Sequence, residues 1–590
     1  VDGVARVLPD VPALAKTFDY LIPEAVRDRV RVGTMVRVTL KGRRVGGWVV
    51  AVAGEPATDR ALRPLAKVTG WGPPPDLIDL AHWAAWRWAG RPAHFLRTAS
   101  PPGVVAGLPE APNRSAGGAA AVGPAVGSLA ADALRRPLAV ARVPPAADPF
   151  PLVRAAAGLG DALVLAPTGV EAALVAADLE RAGVPVALMP GGWARAAAGG
   201  SVVVGTRAAA WAPVPRLAAV VVLDEHDEAY QQEAAPTWNA RDVAAERARR
   251  AGVPCVLVSP CPSLESLARA PLLAPARTEE RAGWPVVDVA DRRREPPGAG
   301  LYSPRLVAAV REAEPGARVV CVLNRKGRAR LLACAACGEL ARCEVCQGPV
   351  AQPAEGGLRC GRCGAERPVV CTACGATRLR TLRPGVTRVR EELELLAGRP
   401  VAELTGEQPA GPPPDAPVLV GTEAVLHRVA GARVVAFLDF DQELMAPRYR
   451  AAEEALGLLA RAARLVGGRD RGGRIVVQTR LPGHEAVDAA LHADPGRLAV
   501  AESARRAALR FPPETALAVV SGAGAAAFVA GLDRVSRSEG RSAPGAVEVL
   551  GPAGDRWLVR APDHRRLCDT LAAVRRPAGR LRVAVDPLRA

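Results

Sequence analysis

Lysine is almost missing from this chain. Only Lys16, Lys41, Lys67 and Lys326 occur among 77 basic residues. Their neighbours matter more than their number. Lys16 follows Ala15, Lys41 follows Leu40, Lys67 follows Ala66 and Lys326 follows Arg325, so no G-K-[ST] triplet exists. A phosphate-binding loop needs Gly-rich backbone around the triphosphate, a lysine for the β- and γ-phosphates and a hydroxyl for Mg²⁺. The absence excludes an ordinary P-loop ATPase. Long apolar runs are missing too. No stretch reaches the roughly 18 residues of a membrane span, so no membrane partner is expected. Asp2, Arg6 and Asp10 interrupt any apolar opening segment, and no secretion signal is expected. Around 201–207 and 259–266 the serines have no histidine and acid arranged for nucleophilic catalysis.

What the chain does have is cysteine in pairs. Eight of its twelve cysteines form four C-x-x-C units, Cys334/Cys337, Cys343/Cys346, Cys360/Cys363 and Cys371/Cys374. One unit supplies two corners of a tetrahedral thiolate site, so four units supply two Cys₄ sites. Zinc is the expected metal, two ions per chain, with iron the rival occupant of such cages. Spacing alone leaves open whether adjacent or nested units share an ion. Thiolates that bind metal suit a reducing cytoplasm. Cys255, Cys261, Cys321 and Cys568 have no partner at ligand spacing and read as small buried residues. His226 likewise lacks a second ligand and reads as structural.

The chain has 590 residues, 49% apolar and 23% charged, which is globular composition and enough for about four domains. A net charge of +17 favours a polyanionic partner, nucleic acid above all, over a merely solvated basic surface. Arginine carries nearly all of that charge in an Ala-, Gly- and Pro-rich background. This is the signature of GC-rich coding, so arginine abundance is itself a weak signal.

Residues 1–105 read as a β-rich unit. Residues 36–40 alternate as a strand, Lys41-Gly42-Arg43-Arg44 turns, and 45–52 returns. A helix follows over 76–91, with Leu77, Leu80, Trp83, Trp86 and Trp88 on or near its apolar stripe. Residues 106–136 show no period and read as a linker or an eroded small domain. From 137 to 295, short buried strands alternate with helices, the pattern of a parallel α/β sheet. A second such unit spans 296–485 and is interrupted by the cysteine insert at 334–375. Residues 486–590 form a smaller α+β unit.

Thr17-Phe18-Asp19-Tyr20-Leu21-Ile22-Pro23 near the start, Pro262-Ser263-Leu264-Glu265-Ser266 in the middle and Val585-Asp586-Pro587 near the end, with the double cysteine insert between them, resemble the PriA family of primosomal replication-restart helicases (primosomal protein N′). The first of these is similar to the family's F-D-Y-x-x-P element. Val204-Gly205-Thr206-Arg207-Ala208-Ala209 is similar to V-G-T-R-S-A, and Trp238-Asn239-Ala240-Arg241-Asp242-Val243-Ala244 to Y-H-A-R-D-x-A. Pro262-Ser263-Leu264-Glu265-Ser266 repeats P-S-L-E-S. Leu323-Asn324-Arg325-Lys326-Gly327, Leu438-Asp439-Phe440-Asp441, Pro447-Arg448-Tyr449-Arg450-Ala451-Ala452-Glu453 and Val585-Asp586-Pro587 follow in the family's order. The resemblance implies two tandem helicase-like parallel-sheet lobes, a double Cys₄ zinc insert in the second, an N-terminal β-rich domain for DNA 3′ ends and a C-terminal α+β domain. It implies nested metal pairing, with Cys334, Cys337, Cys371 and Cys374 on one zinc and Cys343, Cys346, Cys360 and Cys363 on the other. It also implies DNA contacts from Phe18, Asp19 and Tyr20, with a base stacked on an aromatic face. Lys41, Arg43 and Arg44 are suited to phosphate.

Against the family's motor motifs this chain is degenerate. Its phosphate loop is expected near 153–161, where Gly158 and Gly160 remain without lysine or hydroxyl. The family's D-E-E-H-D is Leu223-Asp224-Glu225-His226-Asp227 here, with Leu223 in the first acid's place. The lobe-two arginine motif survives only as Arg469 and Arg471, without its glutamine and with the second arginine displaced. Asp224, Glu225, His226, Arg469 and Arg471 are therefore expected to be motor remnants, and ATP with Mg²⁺ is not an expected cofactor. The resulting expectation is a cytoplasmic protein that binds stalled or abandoned forks and branched DNA with a 3′ end. It would promote assembly of the primosome and helicase-loading proteins without unwinding DNA. The alternatives are an active ATP-dependent 3′→5′ helicase and a zinc-stabilised structural nucleic-acid binder.

Overall fold

Short runs of β-branched residues, apolar on both faces, build the centre of the molecule. Asp161–Leu165, Val202–Gly205, Cys255–Ser259, Val319–Val322 and Val418–Gly421 are buried along their whole length. Strands buried on both faces need helices above and below, so they assemble as parallel sheets. The computed structural model describes residues 3–589 except 12–13, 15, 58–60, 113–123, 294, 296–300, 312–316, 324–331, 353–356, 361–362, 382–385, 405–410, 412 and 539–546. The Asn324-Arg325-Lys326-Gly327 segment lies outside the described residues.

The first lobe is a seven-stranded parallel sheet. Its spatial order is Leu272–Leu273, Leu138–Arg142, Cys255–Ser259, Leu217–Val222, Asp161–Leu165, Val202–Gly205, Val186–Leu188. The second is a six-stranded parallel sheet in the order Val286–Asp291, Arg474–Thr479, Val434–Phe437, Val319–Val322, Val418–Gly421, Val401–Leu404. Its edge strand Val286–Asp291 precedes residue 295. Within 106–136 a helix forms over Pro124–Leu134, and its Ala130 and Ala133 are buried against the first lobe.

The N-terminal unit is a five-stranded sheet in which each strand is antiparallel to its neighbour. Met35–Leu40 and Arg43–Ala53 form a hairpin closed by Lys41 and Gly42, both at positive φ (48° and 80°). Two left-handed residues match the twist of the flanking strands. Arg43 and Arg44 thus open the second strand instead of finishing the turn. A four-stranded antiparallel sheet forms the C-terminal unit.

These units share cores. One apolar cluster runs from Leu8 and Trp48 through Leu77, Trp88 and Phe95 into Trp211, Val220 and Trp238 of the first lobe and on to Val520, Phe528 and Val585. Ring contacts mark its path: Trp88 to Phe95 (6.4 Å), Phe95 to Trp211 (5.3 Å) and Trp211 to Trp238 (6.0 Å). The Val585-Asp586-Pro587 segment adds polar ties. Thr237 Oγ1 donates to the Val585 carbonyl (2.7 Å), while the Asp586 carboxylate accepts from Arg87 (2.6 Å) and pairs with His564 Nε2 (2.9 Å). Among the described residues no helix is long and apolar enough to cross a membrane.

Burial opposes the charge on Asp586, but His564 and Arg87 outweigh it and hold the carboxyl far below the usual range. A carboxyl depressed in the folded state contributes stability above its unfolded pKa of about 3.9 and loses it as pH falls further. Asp586→Ala would leave Arg87 buried without its partner, and should cost about 3 kcal/mol or more at neutral pH. Thermal melts of the variant and wild type should differ most at pH 7, and the gap should narrow by about 1 kcal/mol at pH 3 without closing, because the folded carboxyl is still ionised there.

Candidate functional site: the cleft between the lobes and the cysteine module

In an open parallel sheet, ligands bind beyond the carboxyl ends of the strands, and a phosphate sits where a strand turns into a helix N-terminus. Leu138–Arg142, second in the first sheet, is followed by the helix Phe150–Gly158. The turn between them, 143–149, has that strand–turn–helix context. Residues 153–161 do not: they are the end of the helix and the start of the next strand, at the opposite edge of the sheet. The expected position of the phosphate loop is therefore corrected to 143–149. Sequence reasoning missed it because the turn keeps no glycine.

Its chemistry is unsuited to phosphate. Pro144, Pro145 and Pro149 have no N–H. The N–H groups of Val143, Ala146 and Ala147 donate to the carbonyls of Ser259, Gly283 and Pro144. The N–H of Phe150, at the helix start, donates to the Asp148 carboxylate (3.0 Å). An acid and three prolines stand where a nest of amides and a lysine would be required. Beside this turn lies a cavity of about 220 Å³ lined mainly by apolar groups, including Val143, Ala147, Pro167, Leu223 and Val258. Leu223 contributes an isobutyl group there in place of a carboxylate.

The next three residues are all occupied. Asp224, at positive φ (46°), follows the strand Leu217–Val222 and is 7% exposed. Arg464 grips it with two bonds, 2.6 and 2.9 Å. Burial disfavours the Asp224 charge, yet Arg464 prevails and holds the carboxyl well below the usual range. Glu225 accepts from Ser263 N (2.7 Å), Ser263 Oγ (2.9 Å), Ser266 Oγ (2.7 Å) and Arg241 Nη1 (3.0 Å). That shell uses the lone pairs with which it could orient a water. His226 Nδ1 shares a 2.8 Å hydrogen bond with Ser259 Oγ.

The arginines in the cleft are not those the sequence singled out. Arg469 and Arg471 lie in an exposed single turn, Arg469–Arg471, beyond the helix end. Arg461 and Arg464, on the helix Ala451–Val466, face the first lobe instead. Arg461 bonds Asp227 (2.7 Å) and Glu171 (3.3 Å), and Arg464 Nε also donates to the Pro145 carbonyl (3.4 Å). The missed signal was helical spacing: Glu453, Gly457, Arg461 and Arg464 lie on one face. At Gly457 a Cβ would stand 3.2 Å from His226 Cδ2, so a side chain there would press the imidazole by a few tenths of an ångström.

In the N-terminal unit the three named residues have different surroundings. Tyr20 is 4% exposed, lies in the sheet's core and donates its hydroxyl to the Thr39 carbonyl (3.2 Å). Alternation along Phe18–Leu21 turns it inward. Asp19 is opposite Arg6 in the pairing, accepts from its guanidinium (2.9 and 3.3 Å) and also accepts from Ala57 N (2.7 Å). Phe18 is only partly buried, with the Lys16 ammonium 5.9 Å from its ring centre. Lys41, Arg43 and Arg44 are exposed together at the hairpin tip.

The cysteine module brings its units together in nested fashion. Cys334, Cys337, Cys371 and Cys374 form one cluster, and Cys343, Cys346, Cys360 and Cys363 the other. Sulfur separations of 3.5 Å (Cys334 to Cys374, Cys343 to Cys363, Cys346 to Cys360) and 3.6 Å (Cys337 to Cys371) recur. Four thiolates around one ion with arms of about 2.3 Å would be about 3.8 Å apart, so the spacing fits a metal and is far too long for a disulfide. Every unit turns the same way. The residue after its second cysteine is left-handed: Gly338 (76°), Gln347 (57°), Gly364 (75°) and Gly375 (75°). Amides also point at sulfur, as with Ala336 N to Cys334 and Val345 N to Cys343, both 3.4 Å. Burial raises the thiol pKa of Cys334, but the Cys337 and Ala336 amides prevail and bring it to about 7.

Two facing parallel lobes, a cleft at their strand ends and a thiolate module in the second lobe define a protein of the helicase-like class. Residues 6–101 match the family model of the PriA 3′DNA-binding domain (3′BD). The chain is 31% identical over 569 residues to the "Probable replication restart protein PriA" of Mycobacterium tuberculosis, covering 87% of this chain and 85% of that protein. It is 29% identical over 344 residues to the replication restart protein PriA of Bacillus subtilis, covering 54% of this chain and 43% of that relative's length. Among solved structures it is similar to yeast Dbp5 bound to RNA and ADP BeF3, at 11% identity and TM-score 0.35, over 65% of this chain and 93% of that one. The chain belongs to the PriA family of replication restart proteins.

Two variants separate core from contact in the N-terminal unit. Tyr20→Ala should destabilise the sheet by about 3 kcal/mol, read as a lower melting temperature, without altering the salt dependence of DNA binding. Changing Arg43 and Arg44 to Ala should leave the melt unchanged and flatten the slope of log K against log salt by about 1 per lost phosphate contact. Fluorescence anisotropy at several salt concentrations reads the slope.

Proposed function

We propose that this protein is a replication-restart factor that works without a motor. It binds stalled or abandoned forks through its N-terminal unit, where Phe18 and the basic hairpin tip offer an aromatic face and cationic groups to a 3′ end and its phosphates. Its cysteine module holds two zinc ions and serves as a docking platform for primosome and helicase-loading proteins in the cytoplasm. Its lobes neither hydrolyse ATP nor unwind DNA. The observation that supports this most is the proline-rich 143–149 turn with Arg464 on the acid beside it. Phosphoryl transfer depends on holding the γ-phosphate, its metal and the attacking water together. Here three prolines and an acid stand in the cradle, the Val143, Ala146 and Ala147 amides are engaged, Leu223 replaces an acid, and Glu225 is saturated. Family membership and the matched 3′DNA-binding domain support the restart assignment.

Purified protein with forked DNA, ATP and Mg²⁺ should release phosphate at the buffer rate, and ATP should not change its affinity for the fork. DNA-stimulated turnover would overturn the reading and restore the active helicase. Equal affinity for forks and blunt duplex at moderate salt would favour a structural nucleic-acid binder instead.

Metal analysis should find two zinc ions per chain, one after Cys334→Ser and one after Cys343→Ser. The small sheets around the clusters cannot supply a core of their own, so chelation should unfold the module while the lobes stay folded. A single ion, or iron in freshly prepared protein, would count against the assignment.

A further inference from the structure

Ion pairs across the seam between the lobes run one way, from first-lobe acids to arginines beyond the seam, while Glu453 and Glu454 of the second lobe pair with Arg506 and Arg448 on their own side. Glu171, Asp224, Asp227, Glu228 and Glu265 come from the first lobe, and Arg448, Arg450, Arg461 and Arg464 face them from the second, with Arg506 of the helix Pro495–Leu509 beside them. The pairs are Arg448–Glu228 (3.0 Å), Arg450–Glu265 (2.6 Å), Arg506–Glu265 (3.3 Å), Arg461–Asp227 (2.7 Å), Arg461–Glu171 (3.3 Å) and Arg464–Asp224 (2.6 Å). The seam is tied by backbone as well, since Leu264 N donates to Glu453 (2.9 Å). Arg464 is the informative member. It joins Asp224 to the Pro145 carbonyl of the 143–149 turn. In a nucleotide-driven sheet of this kind such a turn holds the triphosphate, and the acids after the neighbouring strand serve its metal and the attacking water.

We infer that Arg461 and Arg464 take the place of the nucleotide as the cation that closes the two lobes, so that closure is built in and permanent. This rests on the non-motor reading above. A motor opens and closes because its bridging group is a ligand that is bound, cleaved and released. A guanidinium on a helix is covalently attached, so nothing in the cycle can discharge it. It also leaves ATP no differential hold on open and closed states, and a ligand without such a difference shifts no equilibrium. Losing Arg464 removes both hydrogen bonds to the buried Asp224, and losing Arg461 as well removes the other second-lobe arginine acting on it, which disfavours the closed seam.

The test uses the full zinc-loaded chain, with hydrogen exchange across 223–230 and 451–466, small-angle scattering and fork binding measured together. Wild type at about 0.15 M salt should give the same radius of gyration and the same protection with and without ATP–Mg²⁺. Arg461→Gln/Arg464→Gln should lose protection in both segments by about tenfold or more and gain radius. The exchanged pair Asp224→Arg/Arg464→Asp should recover much of that protection, and Arg464→Lys, which keeps charge but loses the fork geometry, should fall between. Zinc content and the thermal transition show whether each variant is folded. Should the double glutamine variant not fold, the lysine variant and the exchanged pair decide. Unchanged protection in the glutamine or lysine variants would overturn the closure assignment, while the non-motor reading would stand as long as ATP turnover is absent. A wild type whose radius or exchange responds to ATP–Mg²⁺ without turnover would overturn the closure assignment alone. Turnover would overturn both.

Discussion

A carboxylate buried at the end of a parallel strand needs a cation, and the identity of that cation decides what the cleft can do. When the cation is a metal carried in by a triphosphate, the acid serves chemistry. Asp224 has Arg464 instead, delivered by the helix Ala451–Val466 of the other lobe. Asp224 is buried while Arg464 stays partly open to solvent, so the cost of losing the pair falls on the carboxylate left without its partner. The surrounding features follow the same logic. Gly457 puts no side chain against His226, Glu225 turns inward to Ser263, Ser266 and Arg241, and the 143–149 turn gives up its amides to neighbouring carbonyls.

The fold does not rest on the residues that would make a motor site, because the two depend on different atoms. The parallel sheets are held by apolar side chains on both faces and by backbone ladders. Neither needs the residues that touch nucleotide. The aromatic path from Trp88 through Phe95 and Trp211 to Trp238, together with Asp586 on Arg87, joins the N-terminal helices and the C-terminal sheet to the first lobe. A body joined by shared cores and a closed seam keeps its surfaces at fixed separation, which suits a scaffold better than a device that must flex.

The cysteine module obeys a different rule. Its buried cluster is Leu332, Ala341, Val350 and Leu358 with Cys343 and Cys360 themselves, too little apolar area to offset the ordering of the chain around it. Metal ligation at the two Cys₄ clusters would fill that gap, and four turns of the same geometry are how the sequence prepares for it.

The sequence by itself determined whatever depends on local pattern or on residue chemistry at short range. The alternating buried runs announced two parallel sheets. The C-x-x-C units announced two thiolate sites, and the lysine neighbours ruled out a phosphate loop. Only tertiary structure decided what depends on residues far apart in sequence. It placed the true phosphate-loop position at 143–149, which without glycine carries no local mark. It put Arg461 and Arg464, not Arg469 and Arg471, into the cleft, because that depends on which face of a helix meets the other lobe across more than 200 residues. It turned Tyr20 into the core and tied Asp19 to Arg6, since strand register fixes side-chain direction and register is a pairing property. It also nested the cysteine units, a choice that spacing leaves open and that the pairing of Leu332–Cys334 with Leu379–Thr381, next to the outer units, decides.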